Sequence, residues 1–358
     1  MKLISMSEIK LAFIGFGTVA QGCAEQLVLK KTQLSQDHNF EYRVVSISDT
    51  LKGSIQNNDG IDLSEALRLA KGGKKLDGQG IKGVVGLSSL ESIRTSEADV
   101  VIEASWTNLK DGEPGLSHIT SALQNDKDVV TSNKGPLALA YRRLVALAKA
   151  QGRHLRFEST VMSGTPIFSL KEFGLAGAKV TELRGILNGT TNYILTQMEQ
   201  GMRYDEALKQ AQKLGYAEAN PEGDVEAYDP AAKVTILANA LMNADVNYRD
   251  VEREGISEIN PEVIRKASKK SERIKLVASA SIGGDGKVKA AVRPTPVPYT
   301  SILAHVGGVM NALQISTDVQ PDVTIIGPGA GGDSAGYGLL NDLLIVHKMR
   351  ANGETMMS

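Results

Sequence analysis

Cysteine is almost missing from this chain: Cys23 is the only one among 358 residues, so no internal disulfide can staple the fold and a disulfide scaffold is excluded. Net charge is nearly missing as well, since 40 Lys plus Arg against 41 Asp plus Glu leave a formal charge of −1. Gripping a phosphate backbone takes a surplus of basic side chains on one face, so nucleic acid is not an expected partner. No uninterrupted apolar run approaches the ~18 residues of a membrane-crossing helix. Met1 to Lys10 is too short and too polar for a secretory signal. A cytoplasmic protein without membrane association is therefore expected. The five histidines, His38, His118, His154, His305 and His347, stand at no spacing that makes a transition-metal site with another His, Cys or carboxylate. Glycine, by contrast, is plentiful, with 36 residues against a usual share of ~7%. Excess glycine often marks backbone that comes close to a ligand. At ~100 to 200 residues per domain, the length suggests two or three domains.

The first 150 residues alternate β-branched runs with helical stretches, the pattern of a parallel sheet covered by helices. Strands are expected over 10–14, 42–48, 99–103 and 128–131, and helices over 18–31, 64–69 and 137–148. The stretch 72–86, with six glycines among lysines and polar residues, reads as a mobile surface loop. Beyond residue 150 the style becomes α+β. Strands are expected over 153–157, 180–187, 275–282 and 287–292, with a Gly-Gly-Asp-Gly hairpin signal at 283–286 between the last two. Helices are expected over 192–199, 204–213 and 230–243, further strands over 309–316 and 322–326, and a last helix over 334–348 that returns to the first domain. No internal repeat, low-complexity tract or Pro/Ser-rich linker is visible.

Two groups of residues carry chemistry. Gly15-Phe16-Gly17-Thr18-Val19-Ala20 follows a strand and opens a helix, fitting the G-x-G-x-x-G/A fingerprint of dinucleotide binding. Gly15 permits the tight turn, Gly17 lets backbone reach a pyrophosphate, and a small third residue lets helix and strand pack. Free amides at the helix start then receive phosphate charge. Asp49 ends the second strand, where a carboxylate accepts from ribose hydroxyls; the other reading of Asp49 is a strand-terminal turn residue. Its charge favours NAD, whereas Lys52 would attract the extra phosphate of NADP. The second group is an acidic run, with five carboxylates between Glu218 and Asp229, including Asp224, just ahead of an apolar helix. Asp229 before Pro230 suits an N-cap, and Lys233 lies one turn on. This pair reads either as an ordinary cap with a surface ion pair or as a buried lysine able to donate a proton, desolvation lowering its pKa. The segment 185–192 follows a strand and begins a helix, offering amides and hydroxyls suited to a small carboxylate or amino acid, and 157–166 has the same strand-loop-helix character; the other reading of either is a plain helix entry, where Ser and Thr are common.

The motifs Gly15–Val19, 102–105, 131–137, 157–166, 185–193, 214–233 and 329–332 together resemble a homoserine dehydrogenase of the short form, one lacking both the C-terminal amino-acid-sensing domain and a fused aspartate kinase. The resemblance implies a Rossmann-type α/β dinucleotide-binding domain over 1–150, joined by 327–358, and an α+β substrate-binding, catalytic and dimerisation domain over 151–326. It implies NAD(P)-dependent interconversion of L-homoserine and L-aspartate 4-semialdehyde by a homodimer. Carried over residue by residue, Lys233 is the implied proton donor. Asp229 and Glu218 hold substrate with Asp224, Gly189 and Thr190. Gly15, Gly17, Thr18, Val19, Asp49, Ser105, Lys134, Gly215 and Gly331 face the cofactor, and Lys134 lies near the reacting groups. Glu158, Val161, Ser163 and Thr165 supply backbone carbonyls to a sodium ion. The chain departs from the family pattern at Ala20, at Met162-Ser163 and at Ala227, where glycine is usual. Rival readings are another amino-acid dehydrogenase of this architecture and a dinucleotide sensor with a degenerate site.

Overall fold

The computed structural model describes residues 8–76 and 80–353. The chain opens with β1 (Ile9–Ile14), α1 (Thr18–Leu29), α2 (Lys31–His38), β2 (Tyr42–Asp49), β3 (Gly53–Gln56), α3 (Leu63–Lys71) and β4 (Val84–Val85). It continues through α4 (Ser89–Thr95), β5 (Val100–Glu103), α5 (Gly115–Gln124), β6 (Asp128–Thr131), α6 (Lys134–Ala150) and β7 (Leu155–Arg156). Next come β8 (Val180–Ile186), α7 (Gly189–Glu199), α8 (Tyr204–Lys213), α9 (Glu222–Val225), α10 (Tyr228–Leu241), β9 (Glu252–Arg253) and α11 (Pro261–Ser268). The long hairpin of β10 (Glu272–Ile282) and β11 (Val288–Pro298) precedes β12 (Met310–Thr317), β13 (Val323–Pro328) and α12 (Gly332–Asn352).

These elements form two units, residues 1–164 with 331–358, and residues 165–330. The first boundary falls after residue 164 rather than after 150. β7 completes the first sheet beside β6, and the turn after it is tied to α12, with the Glu158 amide donating to Asp342 at 2.8 Å and Ser159 Oγ to the Ala335 carbonyl at 2.6 Å.

The first unit holds a seven-stranded sheet in the order β4-β3-β2-β1-β5-β6-β7. β2, β1, β5, β6 and β7 run parallel, and β3 and β4 extend one edge antiparallel. The chain moves outward from β1 to β2, then crosses to β5 on the other side of β1. That reversal leaves a crevice at the carboxyl ends of β1, β2 and β5, where open α/β sheets bind ligands. Strand residues such as Leu11, Phe13, Val100 and Ile102 are fully buried because helices cover both faces of a parallel sheet. α12 packs on α1 through glycines. A Cβ on Gly22 would lie 2.4 Å from the Gly332 carbonyl oxygen, and one on Gly336 2.4 Å from the Cys23 amide nitrogen.

Two expectations for this unit fail. The helix expected over 18–31 stops at Leu29, and the polar insert after it folds as α2, closed by Asn39 in the left-handed region (φ 50°) and anchored by buried Leu34. The glycine-rich stretch 72–86, expected as a loose loop, lies partly outside the described residues, but its described parts are held. Leu76 is 1% exposed and its amide donates to the Lys52 carbonyl, while β4 pairs with β3. α4, α5 and α11 were not anticipated, being short and rich in Ser, Thr or Lys.

The second unit is built on a six-stranded sheet, β13-β12-β8-β10-β11-β9, antiparallel except where β9 joins β11. The hairpin turn forms where its glycines predict, with the Gly283 amide bonded to the Lys287 carbonyl and the Gly286 amide to the Gly283 carbonyl. Ile186, Val277, Val297, Leu303 and Ala312 pack as an apolar cluster of this unit. Among the described residues no helix is long and apolar enough to cross a membrane.

Candidate functional site

In the first unit a cavity of about 420 Å³ opens at the crevice, lined by Gly15, Gly17, Asp49, Lys52, Ser105 and Trp106 among others. The two glycines of the fingerprint do different things. Gly15 has φ 82°, and a Cβ there would lie 2.5 Å from the Ala104 carbonyl oxygen, so only glycine allows β1 to turn against β5. Gly17 has ordinary extended backbone (φ −78°), and its Cβ would meet nothing within 4 Å. The protein itself does not need glycine at 17; open space beside bare backbone fits a pyrophosphate. Thr18 and Val19 follow as the first residues of α1, whose start has no side-chain cap. Its early amides are thus available to phosphate oxygens.

Asp49 combines both readings the sequence left open. Its Oδ2 accepts the Phe16 amide at 2.8 Å, and its Oδ1 accepts the Leu51 and Lys52 amides, each at 2.9 Å. It therefore closes its own turn and clamps the glycine loop. Burial raises its carboxyl pKa, but those three amides and the Lys52 charge outweigh burial and hold it below the ordinary value. A charged carboxylate at the cavity wall can still accept from a ribose, having ~4 lone-pair sites.

The back wall is organised by Glu103, which the sequence reading had quoted only as part of a motif. It is fully buried at the end of β5. It accepts from the Ser105 amide at 3.1 Å, from Ser105 Oγ, and from Thr131 Oγ1 at 2.9 Å, and His118 Nδ1 lies 3.4 Å away. Asn133 continues the network, its amide nitrogen reaching Ser105 Oγ at 3.3 Å and the Trp106 carbonyl at 3.2 Å while its Oδ1 caps α6 on the Gly135 amide. That cap starts α6 at Lys134, three residues before the expected start. The clue in sequence was a single charged residue closing an apolar strand.

In the second unit Lys233, Asp229, Asp224 and Thr190 come together around a residue the sequence reading did not single out, Asn188. Lys233 is 6% exposed on α10. Its ammonium lies 2.7 Å from Asp229 Oδ2 and donates to the Leu187 carbonyl at 2.7 Å. The surface-pair reading therefore fails, because Val234, Ile236 and Leu237 around it are buried too. Asn188 Nδ2 bridges Asp224 Oδ1 at 2.7 Å and Asp229 Oδ2 at 3.0 Å, and its Oδ1 caps α7 on the Thr191 amide at 2.9 Å. Burial first, and the Asp229 charge second, push the Asp224 carboxyl above its usual range against the opposing effects of Asn188, Thr190 and Lys233. Thr190 also donates to the Tyr216 carbonyl at 2.6 Å.

Asp229 is not the helix N-cap. Ala227 holds that position in the left-handed region (φ 63°), and Asp229 sits in the first turn with Pro230 after it. The resemblance implies glycine at position 227, and this φ is one that glycine adopts without strain. Gly189 is required by sterics, since its Cβ would lie 2.7 Å from the Val309 carbonyl oxygen; Gly215 (φ 76°) and Gly331 (φ 128°) are left-handed or nearly so. Glu218 stands apart, exposed on the loop after α8, with only its backbone carbonyl engaged, by Gln212.

The segment proposed to hold a cation is buried from Glu158 to Ser163, and Met162 (φ 56°) and Ser163 (φ 54°) are both left-handed. Thr165 begins the second unit. Among the described residues no cluster of three or more His, Cys, Asp or Glu could hold a metal.

Known proteins match along both units. A family profile described as homoserine dehydrogenase matches residues 166–344, and one described as the homoserine dehydrogenase NAD binding domain matches residues 15–158. The chain is 39% identical over 346 residues to an NAD(+)-dependent homoserine dehydrogenase of Pseudomonas canavaninivorans, covering 96% of this chain and 97% of that one. A crystal structure of a putative homoserine dehydrogenase from Archaeoglobus fulgidus superimposes with a TM-score of 0.84 at 37% identity, covering 95% of this chain and 99% of the other. A hyperthermophilic archaeal homoserine dehydrogenase mutant in complex with NADPH superimposes with a TM-score of 0.83 at 30% identity, covering 96% and 98%. With a Rossmann-type crevice, a buried lysine among carboxylates and matches along nearly its whole length, this chain belongs to the homoserine dehydrogenase family of NAD(P)-dependent oxidoreductases.

Proposed function

We propose that the chain interconverts L-homoserine and L-aspartate 4-semialdehyde, with Lys233 as the proton donor. The observation that carries this reading is the buried Lys233 ammonium held between Asp229 Oδ2 and the Leu187 carbonyl. When bound, NAD(P)H supplies the hydride that reduces the aldehyde carbon; NAD(P)+ removes it in the reverse direction. The carbonyl oxygen gains negative charge as the carbon is reduced, and a positioned ammonium both stabilises that charge and hands over a proton, leaving a neutral amine. In the reverse direction the neutral amine takes the proton from the hydroxyl. Asp229 and the Leu187 carbonyl fix the nitrogen in place.

Asp224, Asp229 and Glu218 supply negative charge for the substrate ammonium, and the amide at Thr190 with the start of α7 receives its carboxylate. Gly15, Gly17, Thr18, Val19, Asp49 and Ser105 hold the dinucleotide, joined by Lys134, Gly215 and Gly331. Glu158, Val161, Ser163 and Thr165 supply carbonyls to a sodium ion. The second unit also carries the dimer contact, and the enzyme works in the cytoplasm on the route from aspartate to threonine and methionine.

The deciding experiment is a spectrophotometric assay at 340 nm with L-homoserine and, in separate runs, NAD and NADP, alongside L-aspartate and related amino acids. Reduction of cofactor with homoserine alone is expected. Turnover only with another amino acid, or cofactor binding without turnover, would replace this reading by the rival dehydrogenase or the sensor.

A further inference from the structure

A second cavity, of about 310 Å³, lies apart from both networks, on the helical surface formed by α4, α5 and α6. Arg94 comes from α4, Arg143 from α6, Ser117, Thr120 and Ser121 from one face of α5, and Glu113 from just before α5. The opposite face of α5, with Ile119, Ala122 and Leu123, is buried, so the helix presents hydroxyls to the cleft and apolar residues to the core. Three features of the lining are unfinished. Neither guanidinium has a hydrogen bond or ion pair among the described residues. Glu91, the acid nearest to Arg94 along α4, is committed to the Ser88 capping box. The Thr120 hydroxyl is buried without any hydrogen-bond partner, which is uncommon in a folded protein. Glu113 accepts the Ser117 amide through Oε2 at 3.1 Å, which fixes a carboxylate at the same cleft.

Two exposed fork-shaped cations and one carboxylate lining the same cleft, together with the hydroxyls of α5, complement a molecule that carries two carboxylates and one ammonium. A phosphate ester would meet repulsion from Glu113, and a plain dicarboxylate would bring Glu113 no cation. The volume, at the lower end for ligand pockets, suits a small metabolite. We propose that this cleft is a second small-molecule site, taking an α-amino acid with an acidic side chain, its carboxylates on Arg94 and Arg143 and its ammonium on Glu113. Its occupancy does not depend on the reaction proposed above, because none of its residues belongs to either network.

The test is calorimetric titration of the full chain, held in saturating L-homoserine so that the substrate site is filled, with L-aspartate, L-alanine and succinate as separate probes. L-aspartate is expected to bind saturably with Kd at or below ~1 mM, and the other two, each missing one charged group, about tenfold more weakly. Arg143→Gln should abolish the L-aspartate signal. Glu113→Gln should make L-aspartate no better than succinate. Both variants should keep the wild-type melting temperature and homoserine turnover. The proposal is overturned if L-aspartate gives no saturable heat up to ~10 mM, if succinate binds as tightly as L-aspartate, or if Arg143→Gln binds like wild type.

Discussion

Two acidic centres, one fully buried in the first unit and one half-buried in the second, behave in opposite ways. Glu103 in the first unit has no exposure at all, yet every donor around it is aimed at its carboxylate: both donors of Ser105, the Thr131 hydroxyl and the His118 ring. In the second unit Asp224 and Asp229 share the side-chain amide of Asn188, with Thr190 also bonded to Asp224 and the Lys233 ammonium 2.7 Å from Asp229, yet burial first and the repulsion between them second still raise Asp224. A buried carboxylate surrounded by donors is scaffolding, because it gains nothing more from a ligand. Two neighbouring carboxylates, one of them already pushed toward protonation by burial and by its neighbour's charge, gain from a further cation. The first centre shapes a cavity wall, and the second is the one to which the proposed function assigns the substrate ammonium.

The sharpest way to break this contrast is at Lys233. Lys233→Ala should lower turnover by about 10² to 10⁴ while dinucleotide affinity, measured by fluorescence titration, stays at the wild-type value. Wild-type turnover in that variant would remove the lysine from the chemistry. At Gly15 and Gly17 the two roles of a fingerprint can be separated. Gly15→Ala should cost roughly 1 to 3 kcal/mol of stability, from strain at positive φ together with the clash on Ala104. Gly17→Ala should unfold like wild type yet lose at least ~10-fold in dinucleotide affinity. Equal losses of stability in the two variants would refute the separation.

Glu103→Gln replaces an acceptor by a group whose NH₂ faces donors, which should destabilise by about 1 to 3 kcal/mol in urea unfolding. Because it displaces Ser105, the KM for dinucleotide should rise while the kcat at saturation holds. A drop in kcat alone would make Glu103 more than a wall. The smallest effect is expected at Asp224. Its folded-state pKa is raised, so the stability this group contributes in its protonated form is present below the ordinary carboxylate pKa of ~3.9 and is lost as pH rises through the raised value. Asp224→Asn should therefore melt slightly higher than wild type at neutral pH and no higher below about pH 4, while the KM for homoserine increases. A variant less stable than wild type at neutral pH would show that Asp224 is as well satisfied as Glu103.

Much of this protein could be read from its residues in order. β6 falls where Asp128 to Thr131 predict it, α8 where its amphipathic period does, and the hairpin of β10 and β11 turns at its glycines. The lysine at the heart of the site stood out as one charge in an apolar helix. Asn188 did not stand out, since an Asn before Gly-Thr-Thr looks like any helix cap; its second function appears only when the acidic run folds back across 36 residues onto its amide. α2 and the held segment after α3 were missed because their anchors, Leu34 and Leu76, are single apolar residues in polar surroundings, and one residue makes no period.

The sequence by itself determined the local matters: where the longer strands run, that the chain turns tightly at Gly15, and that one lysine sits among apolar neighbours. Those follow from propensity, periodicity and the sterics of glycine, all of which act within a few residues. Only the tertiary structure decided which polar groups are satisfied and which are left wanting. That balance depends on donors and acceptors far apart along the chain, as where Ser105, His118 and Thr131 converge on Glu103, while the carboxylates of the second unit share one amide.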